Sequence, residues 1–71
     1  MEIILFKKSE GCPHCVTALQ ILDEAGVEYK TIDAFDEPDR AREYGVRKVP
    51  TLFVDGVKYI NVSEFKQAIT K

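Results

Sequence analysis

The spacing of apolar residues changes along the chain, and each spacing predicts a different element. Residues 2–6 contain a nearly continuous apolar run, which is typical of a strand buried on both faces. A helix is predicted to begin at Pro13 and to stop at Gly26, because proline fits the first helical position and glycine commonly follows the last. The predicted buried stripe of this helix consists of Cys15, Ala18, Leu19, Leu22 and Ala25.

The segment after this helix predicts a second strand. Residues 27–33 alternate between the two faces, with Val27, Tyr29 and Thr31 on the same face. Because a helix separates this strand from the first, we expect the two strands to be parallel and joined by a βαβ crossover.

A short helix and a hairpin are predicted next. The helix begins at Pro38 and ends at Gly45. Thr51–Val54 is the third strand, and Asp55-Gly56 is a strong signal for a two-residue turn between antiparallel strands. The fourth strand is therefore predicted at residues 57–60.

The end of the chain predicts a last helix. Ser63 is the expected cap, Glu64 lies in the first turn, and Phe65 and Ile69 share one face. The predicted order is β-α-β-α-β-β-α, an α/β fold. We expect a single domain over residues 1–71, because a chain of 71 residues is too short for two.

Composition excludes several classes of function. The chain has 10 basic and 12 acidic side chains, and this balance predicts neither a nucleic-acid nor a membrane partner. No apolar run approaches the roughly 18 residues that span a bilayer. Lys7 and Lys8 follow the first apolar run, whereas a secretory signal has its basic residues before such a run. We expect a cytoplasmic monomer.

The chain has two cysteines, and they lie three positions apart in Cys12-Pro13-His14-Cys15. A disulfide that closes so short a loop removes little chain entropy, so a purely structural role is disfavoured. Thiol–disulfide exchange, by contrast, requires one attacking thiolate and a second thiol nearby. The spacing therefore predicts a redox-active dithiol, with a catalytic site formed by Cys12, Pro13, His14 and Cys15.

The predicted position of the dithiol assigns its two sulfurs different roles. Cys12 precedes the helix, where free backbone N–H groups and the helix dipole favour the thiolate and lower the pKa of a cysteine. Cys12 is therefore the expected nucleophile. Cys15 lies one turn further along on the buried stripe, and it is the expected resolving thiol. His14 is close enough to tune the thiolate, although a solvated residue at the helix start is the alternative.

A metal or iron–sulfur binding module is the alternative from another class. A tetrahedral zinc site needs four ligands, and the chain has two cysteines and one histidine. We therefore expect no metal, unless a second chain or an external thiol supplies ligands. An inactive adaptor that retains the fold for binding a partner is a third possibility, disfavoured by the intact dithiol.

The dithiol after the first strand and Val49-Pro50-Thr51 about 35 residues later together resemble the thioredoxin fold at glutaredoxin size. This resemblance covers nearly the whole chain. It implies a four-stranded mixed sheet flanked by three helices. It also implies a cis Val49–Pro50 bond, with Pro50 packed against the dithiol and the backbone of Val49 offered to an extended substrate segment. Gly11, Lys48, Val49 and Pro50 are the expected substrate-binding residues.

The branch of the superfamily decides the expected substrate. Glutaredoxins carry a Gly-Gly after the hairpin, where glutathione binds, and this chain has Ile60-Asn61 there. A protein disulfide is therefore the favoured substrate, and a glutathione-dependent glutaredoxin is the alternative. We expect no dissociable cofactor. The expected reductant is a reductase of the thioredoxin-reductase type or glutathione.

Four cations fall near the Val49-Pro50 segment. They are Arg40, Arg42, Arg47 and Lys48. Their charge predicts either steering of an acidic partner or contact with a glutathione carboxylate. A solvated helix face explains Arg40 and Arg42 equally well.

Overall fold

The computed structural model describes residues 2–8 and 13–69, and its elements follow the predicted order. The strands are β1 Ile3–Lys7, β2 Lys30–Asp33, β3 Thr51–Val54 and β4 Val57–Tyr59, and the helices are α1 Pro13–Ala25, α2 Pro38–Glu43 and α3 Val62–Ile69.

In the described part of the chain the strands form one mixed sheet of four, in the order β2-β1-β3-β4. β1 and β2 are parallel, with Phe6 opposite Ile32. β3 is antiparallel to β1, with Leu5 opposite Leu52, and β4 is antiparallel to β3. Because β1 is central and covered on both faces, its apolar run is buried as the sequence predicted.

The two faces of the sheet carry separate cores. On one face Leu5 packs with Leu22 of α1 and Phe65 of α3, and all three side chains are fully buried. On the opposite face Phe6 and Phe53 pack with Ala41 of α2. Successive residues of β1 point to opposite faces, so a single strand supplies both cores.

The hairpin between β3 and β4 has the predicted turn. Asp55 and Gly56 both have positive φ angles, 50° and 85°. This pairing is typical of the type I′ turn, whose twist matches that of the flanking strands. The backbone N–H of Asp55 also donates to the carbonyl of Glu2 at 2.8 Å, which ties the turn to the start of β1.

The predicted second strand is too long. β2 begins at Lys30, so residues 27–29 are not strand. Pairing with β1 starts where Ile4 lies opposite Lys30. Val27 and Tyr29 are half-buried whereas Glu28 and Lys30 are exposed, as the alternation predicts. Thr31 departs from the pattern, because it is exposed whereas Ile32 is buried in the core under α2.

Two details at helix ends also differ from prediction. Ala25 is exposed at the last position of α1, where the buried stripe has ended. Ser63 does not cap the last helix, because α3 begins one residue earlier at Val62. Asn61 occupies the preceding position. Its carbonyl accepts the N–H of Glu64 at 2.9 Å, and its side-chain amide donates to the Glu64 carboxylate at 3.0 Å.

The helices of the described segments are all too short or too polar to cross a membrane.

Candidate functional site

The start of α1 positions the described part of the dithiol segment. Pro13 is the first residue of the helix, as predicted, and both Pro13 and His14 are exposed. Cys15 faces the core and is only 2% exposed. Gly11 and Cys12 lie outside the described residues, so their predicted roles stay predictions.

The sulfur of Cys15 lies against the end of β1. The backbone N–H of Lys8 donates to Cys15 Sγ at 3.5 Å. Cys15 is disulfide-bonded in this structure. The hydrogen bond from Lys8 was not predicted, because every residue except proline has a backbone N–H and the residue type does not show which N–H will meet the sulfur.

The loop before β3 is the second part of the site. The Val49–Pro50 peptide bond is cis, as the resemblance implied. Pro50 is buried and Val49 is half-buried against the core under α2. The Thr51 hydroxyl donates to the carbonyl of Lys48 at 2.6 Å, and Thr51 is 1% exposed. A buried side chain therefore fixes this loop at the head of a central strand.

A groove of about 380 Å³ joins these two parts, and we call it the site groove. Its lining includes four predicted site residues, His14, Lys48, Val49 and Pro50. The remaining lining is the segment 60–63, which leads into α3. The structure thus brings His14 next to the consecutive residues Lys48, Val49 and Pro50, which follow it by more than 30 positions in the sequence.

A second groove, of about 360 Å³, lies between α2 and the same loop, and we call it the α2 groove. It shares Lys48 and Val49 with the site groove. Its other lining residues are Ala34, Phe35, Pro38, Ala41, Arg42, Val46 and Arg47. This groove was not predicted, because its walls come from three segments that meet only in the folded chain.

The four predicted cations do not act together. Arg42, Arg47 and Lys48 line the α2 groove. Arg40 instead lies 3.7 Å from the carboxylate of Glu37 and borders a different depression. Arg40 therefore does not belong with the other three.

In residues 2–8 and 13–69 no three His, Cys, Asp or Glu side chains come together in a group that could hold a metal ion. The alternative of a metal module gains no support from the described part of the site.

Solved structures define the class of the fold. A thioredoxin-like protein superposes with a TM-score of 0.81 at 20% identity, covering 94% of this chain and 99% of that one. Wheat glutaredoxin superposes with a TM-score of 0.70 at 24% identity, covering 97% of this chain and 70% of that one. The mixed sheet, the three helices and these likenesses define a thioredoxin-fold protein.

Sequence comparison then gives the family. The glutaredoxin family profile matches residues 3–60. A thioredoxin of Methanocaldococcus jannaschii is 36% identical over 62 residues, which are 79% of this chain and 72% of that protein. A glutaredoxin of Ricinus communis is 31% identical over 61 residues, which are 76% of this chain and 59% of that protein. The chain belongs to the glutaredoxin family, and its general chemistry is thiol–disulfide oxidoreduction.

Proposed function

We propose that the chain reduces protein disulfides through Cys12 and Cys15. The observation that carries this proposal is that Cys15 is buried in the first turn of α1, directly after His14, whose side chain lines the site groove together with Pro50. Family membership supports the general chemistry. The electrons reside on the two sulfurs, so the reaction needs no dissociable cofactor.

The reaction proceeds in two exchanges. The Cys12 thiolate attacks one sulfur of the substrate disulfide, the substrate S–S bond breaks, and its other sulfur leaves as a thiolate that takes up a proton. Cys15 then loses its proton and attacks the Cys12 sulfur of the mixed disulfide. The substrate leaves as a second thiol, and a Cys12–Cys15 disulfide remains. Two electrons pass from the dithiol to the substrate.

The loop at Val49 aligns the substrate. Among the residues that the structure describes, the N–H and C=O of Val49 make no hydrogen bond. They are available to an extended chain that lies along the loop, a strand-addition mode of recognition. Pro50 and His14 then border the space in which the substrate disulfide lies.

His14 supports the thiolate of Cys12 from the first turn of α1. Its side chain is exposed at the edge of the site groove, within the range of the positive end of the helix. A ring N–H donated to sulfur stabilises the ionised form, which makes the dithiol easier to keep reduced and its disulfide more oxidising.

A thioredoxin-type reductase is the proposed electron donor, and glutathione is the second candidate. The family profile favours glutathione, whereas Ile60 and Asn61 border the site groove where glutaredoxins have Gly-Gly. The assay supplies NADPH with either thioredoxin reductase or glutathione and its reductase, and follows the turnover of a disulfide-bonded protein. Turnover with thioredoxin reductase is expected, and recycling by glutathione alone would overturn this assignment.

Cys12→Ser tests the mechanism itself. We expect this change to abolish turnover, because serine does not form the mixed disulfide. Ser63→Ala is the matched control, since Ser63 borders the same groove but supplies no sulfur. Residual reduction of a disulfide by the Cys12→Ser variant would contradict the mechanism.

A further inference from the structure

The α2 groove continues the path of a bound substrate chain. It meets the site groove at Lys48 and Val49, which line both. A segment that pairs with the backbone of Val49 next to the reacting disulfide therefore extends directly over the α2 groove. Since strand-added peptides are selected by the pockets that receive their side chains, this groove is placed to contribute specificity.

One wall of the groove is an exposed aromatic ring on a fixed turn. Phe35 is 64% exposed, yet its backbone N–H donates to the Asp33 carboxylate at 2.8 Å. The same carboxylate accepts the N–H of Asp36 at 3.1 Å, and Lys8 Nζ lies 5.2 Å from the centre of the Phe35 ring. The ring continues the apolar lining that Ala34, Val46 and Val49 give to the α2 groove, and contiguous exposed apolar surface is typical of a binding site.

The opposite wall is equally well fixed. The N–H of Val46 donates to the carbonyl of Ala41 at 2.7 Å, which closes the turn after α2. Lys58 Nζ donates to the carbonyl of Gly45 at 2.8 Å and ties this turn to β4. Both walls are thus held by the fold, and an arriving side chain meets a largely formed apolar groove.

The rim of the groove carries unopposed positive charge. Arg42, Arg47 and Lys48 line it, and no acidic side chain does. Within the described residues these three cations make no ion pair, whereas Arg40, two positions before Arg42, is paired with Glu37. The formal net charge of the whole chain is -2, so this rim is a local positive region on a chain whose net charge is negative. A ligand with negative charge would complement this rim.

We propose that the α2 groove selects protein substrates in which an apolar side chain, flanked by Asp or Glu, lies near the reacting disulfide. The apolar walls take the apolar side chain, and the cations of the rim take the carboxylates. Because the lining of the groove is largely apolar, it should bind such a peptide more tightly than it binds glutathione, which is small and hydrophilic. This inference rests on the proposed function and names the class of its substrates.

A binding experiment tests the groove without any turnover. Three synthetic peptides contain serine in place of cysteine and differ only near the central residue: Leu flanked by two Glu, Leu flanked by two Lys, and Ala flanked by two Glu. Each is titrated into ¹⁵N-labelled protein. The first peptide should shift the amide signals of residues 34–38 and 42–49 at the lowest concentration. Equal shifts with the lysine peptide, or shifts by glutathione alone at these residues, would overturn the proposal.

A kinetic experiment measures the contribution of the charges. The readout is the ratio of kcat/KM for disulfide-linked versions of the Glu peptide and the Lys peptide. Arg42→Gln with Arg47→Gln should lower this ratio about three- to tenfold, because exposed charge pairs contribute modestly. Arg40→Gln, the matched control on the same helix, should leave it unchanged. Added salt should also lower this ratio for the wild-type protein, because it screens the exposed charges.

The outcomes separate the two proposals. If the wild-type protein reduces none of these disulfides, the proposed function fails. Two other results would show that the substrate class assigned to the α2 groove is wrong, while the oxidoreductase function stands. One is an equal kcat/KM for the Glu and Lys peptides. The other is a loss of the preference in Arg40→Gln as large as in the variant with Arg42→Gln and Arg47→Gln.

Discussion

One face of the sheet lies under α1 and α3, which have 13 and 8 residues, whereas the other lies under α2, which has 6. Under the two longer helices, Leu5, Leu22 and Phe65 are fully buried. Under α2, the rings of Phe6 and Tyr44 pack at 5.1 Å between centroids, but Tyr44 is still 38% exposed. The first face is closed, and the second stays open beside the α2 groove.

This difference indicates that one face mainly stabilises the fold and that the other leaves room for a ligand. The closed face buries apolar surface and supplies stability, since the free energy of burial follows the area removed from water. The short helix on the other face leaves space beside the cis-proline loop, and this space borders the proposed substrate path. Cys15, in the first turn of α1, lies against the end of β1, where the backbone N–H of Lys8 donates to its sulfur.

The largest effect on stability is expected on the closed face. Leu22→Ala should lower the free energy of unfolding by about 2–5 kcal/mol, because it leaves a cavity in a packed core. Tyr44→Ala should lower it by about 1–2 kcal/mol, since this ring is partly exposed and loses its contacts with Phe6 and Phe53. Urea denaturation followed by far-UV circular dichroism measures both. A Tyr44→Ala variant less stable than Leu22→Ala would reverse the comparison.

A smaller effect is expected at the rim of the open face. Phe35→Ala should change the free energy of unfolding by less than about 1 kcal/mol, because the side chain is largely exposed. It should nevertheless weaken binding of the Leu-Glu peptide. Val57→Ala is the control, since Val57 is 54% exposed on β4, away from the groove. If both variants bound the peptide equally well, the aromatic wall would have no role in recognition.

The smallest expected effect is a dependence of the free energy of unfolding on pH, which arises from a hydrogen bond near the end of α1. The Tyr29 hydroxyl donates to the Asp23 carboxylate at 2.6 Å. This hydrogen bond, together with burial and the negative charge of Asp23, raises the pKa of Tyr29. The pKa of Tyr29 in the folded state therefore exceeds the unfolded value of about 10. The stabilisation that the hydrogen bond to Asp23 gives to the folded state is complete below about pH 10, and it is lost as the pH rises through the folded-state pKa.

The matched variant isolates this contribution. Between about pH 9 and pH 11 the wild-type protein should lose slightly more stability than Tyr29→Phe, which has no hydroxyl to titrate. Urea midpoints at the two pH values provide the measurement. Parallel losses in the two proteins would show that the hydrogen bond to Asp23 makes no difference to folding.

Local signals in the sequence predicted much of the fold. Pro13 begins α1, and the φ angles of Asp55 and Gly56 match the predicted turn. The cis state of Val49–Pro50 followed from the resemblance and not from composition. β2 was predicted too long because the alternation continues over residues 27–29, which do not pair with β1, and pairing is a tertiary property.

The surroundings of the site were predicted less completely. His14, Lys48, Val49 and Pro50 do share one groove. The α2 groove was missed because a six-residue helix is too short for its exposed face to be read from periodicity. For the same reason Arg40 and Arg42 were grouped together, although the structure places them on different surfaces.

The central claim is that Cys12 attacks the substrate and that Cys15 resolves the intermediate. A Cys15→Ser variant, incubated with a disulfide-linked peptide, should accumulate a mixed disulfide at Cys12, because the resolving thiol is gone. Intact-mass and peptide-mapping measurements should find one peptide adduct at that position and none in a Cys12→Ser control. An adduct on Cys15 in the Cys12→Ser protein, or no adduct in the Cys15→Ser protein, would contradict the mechanism.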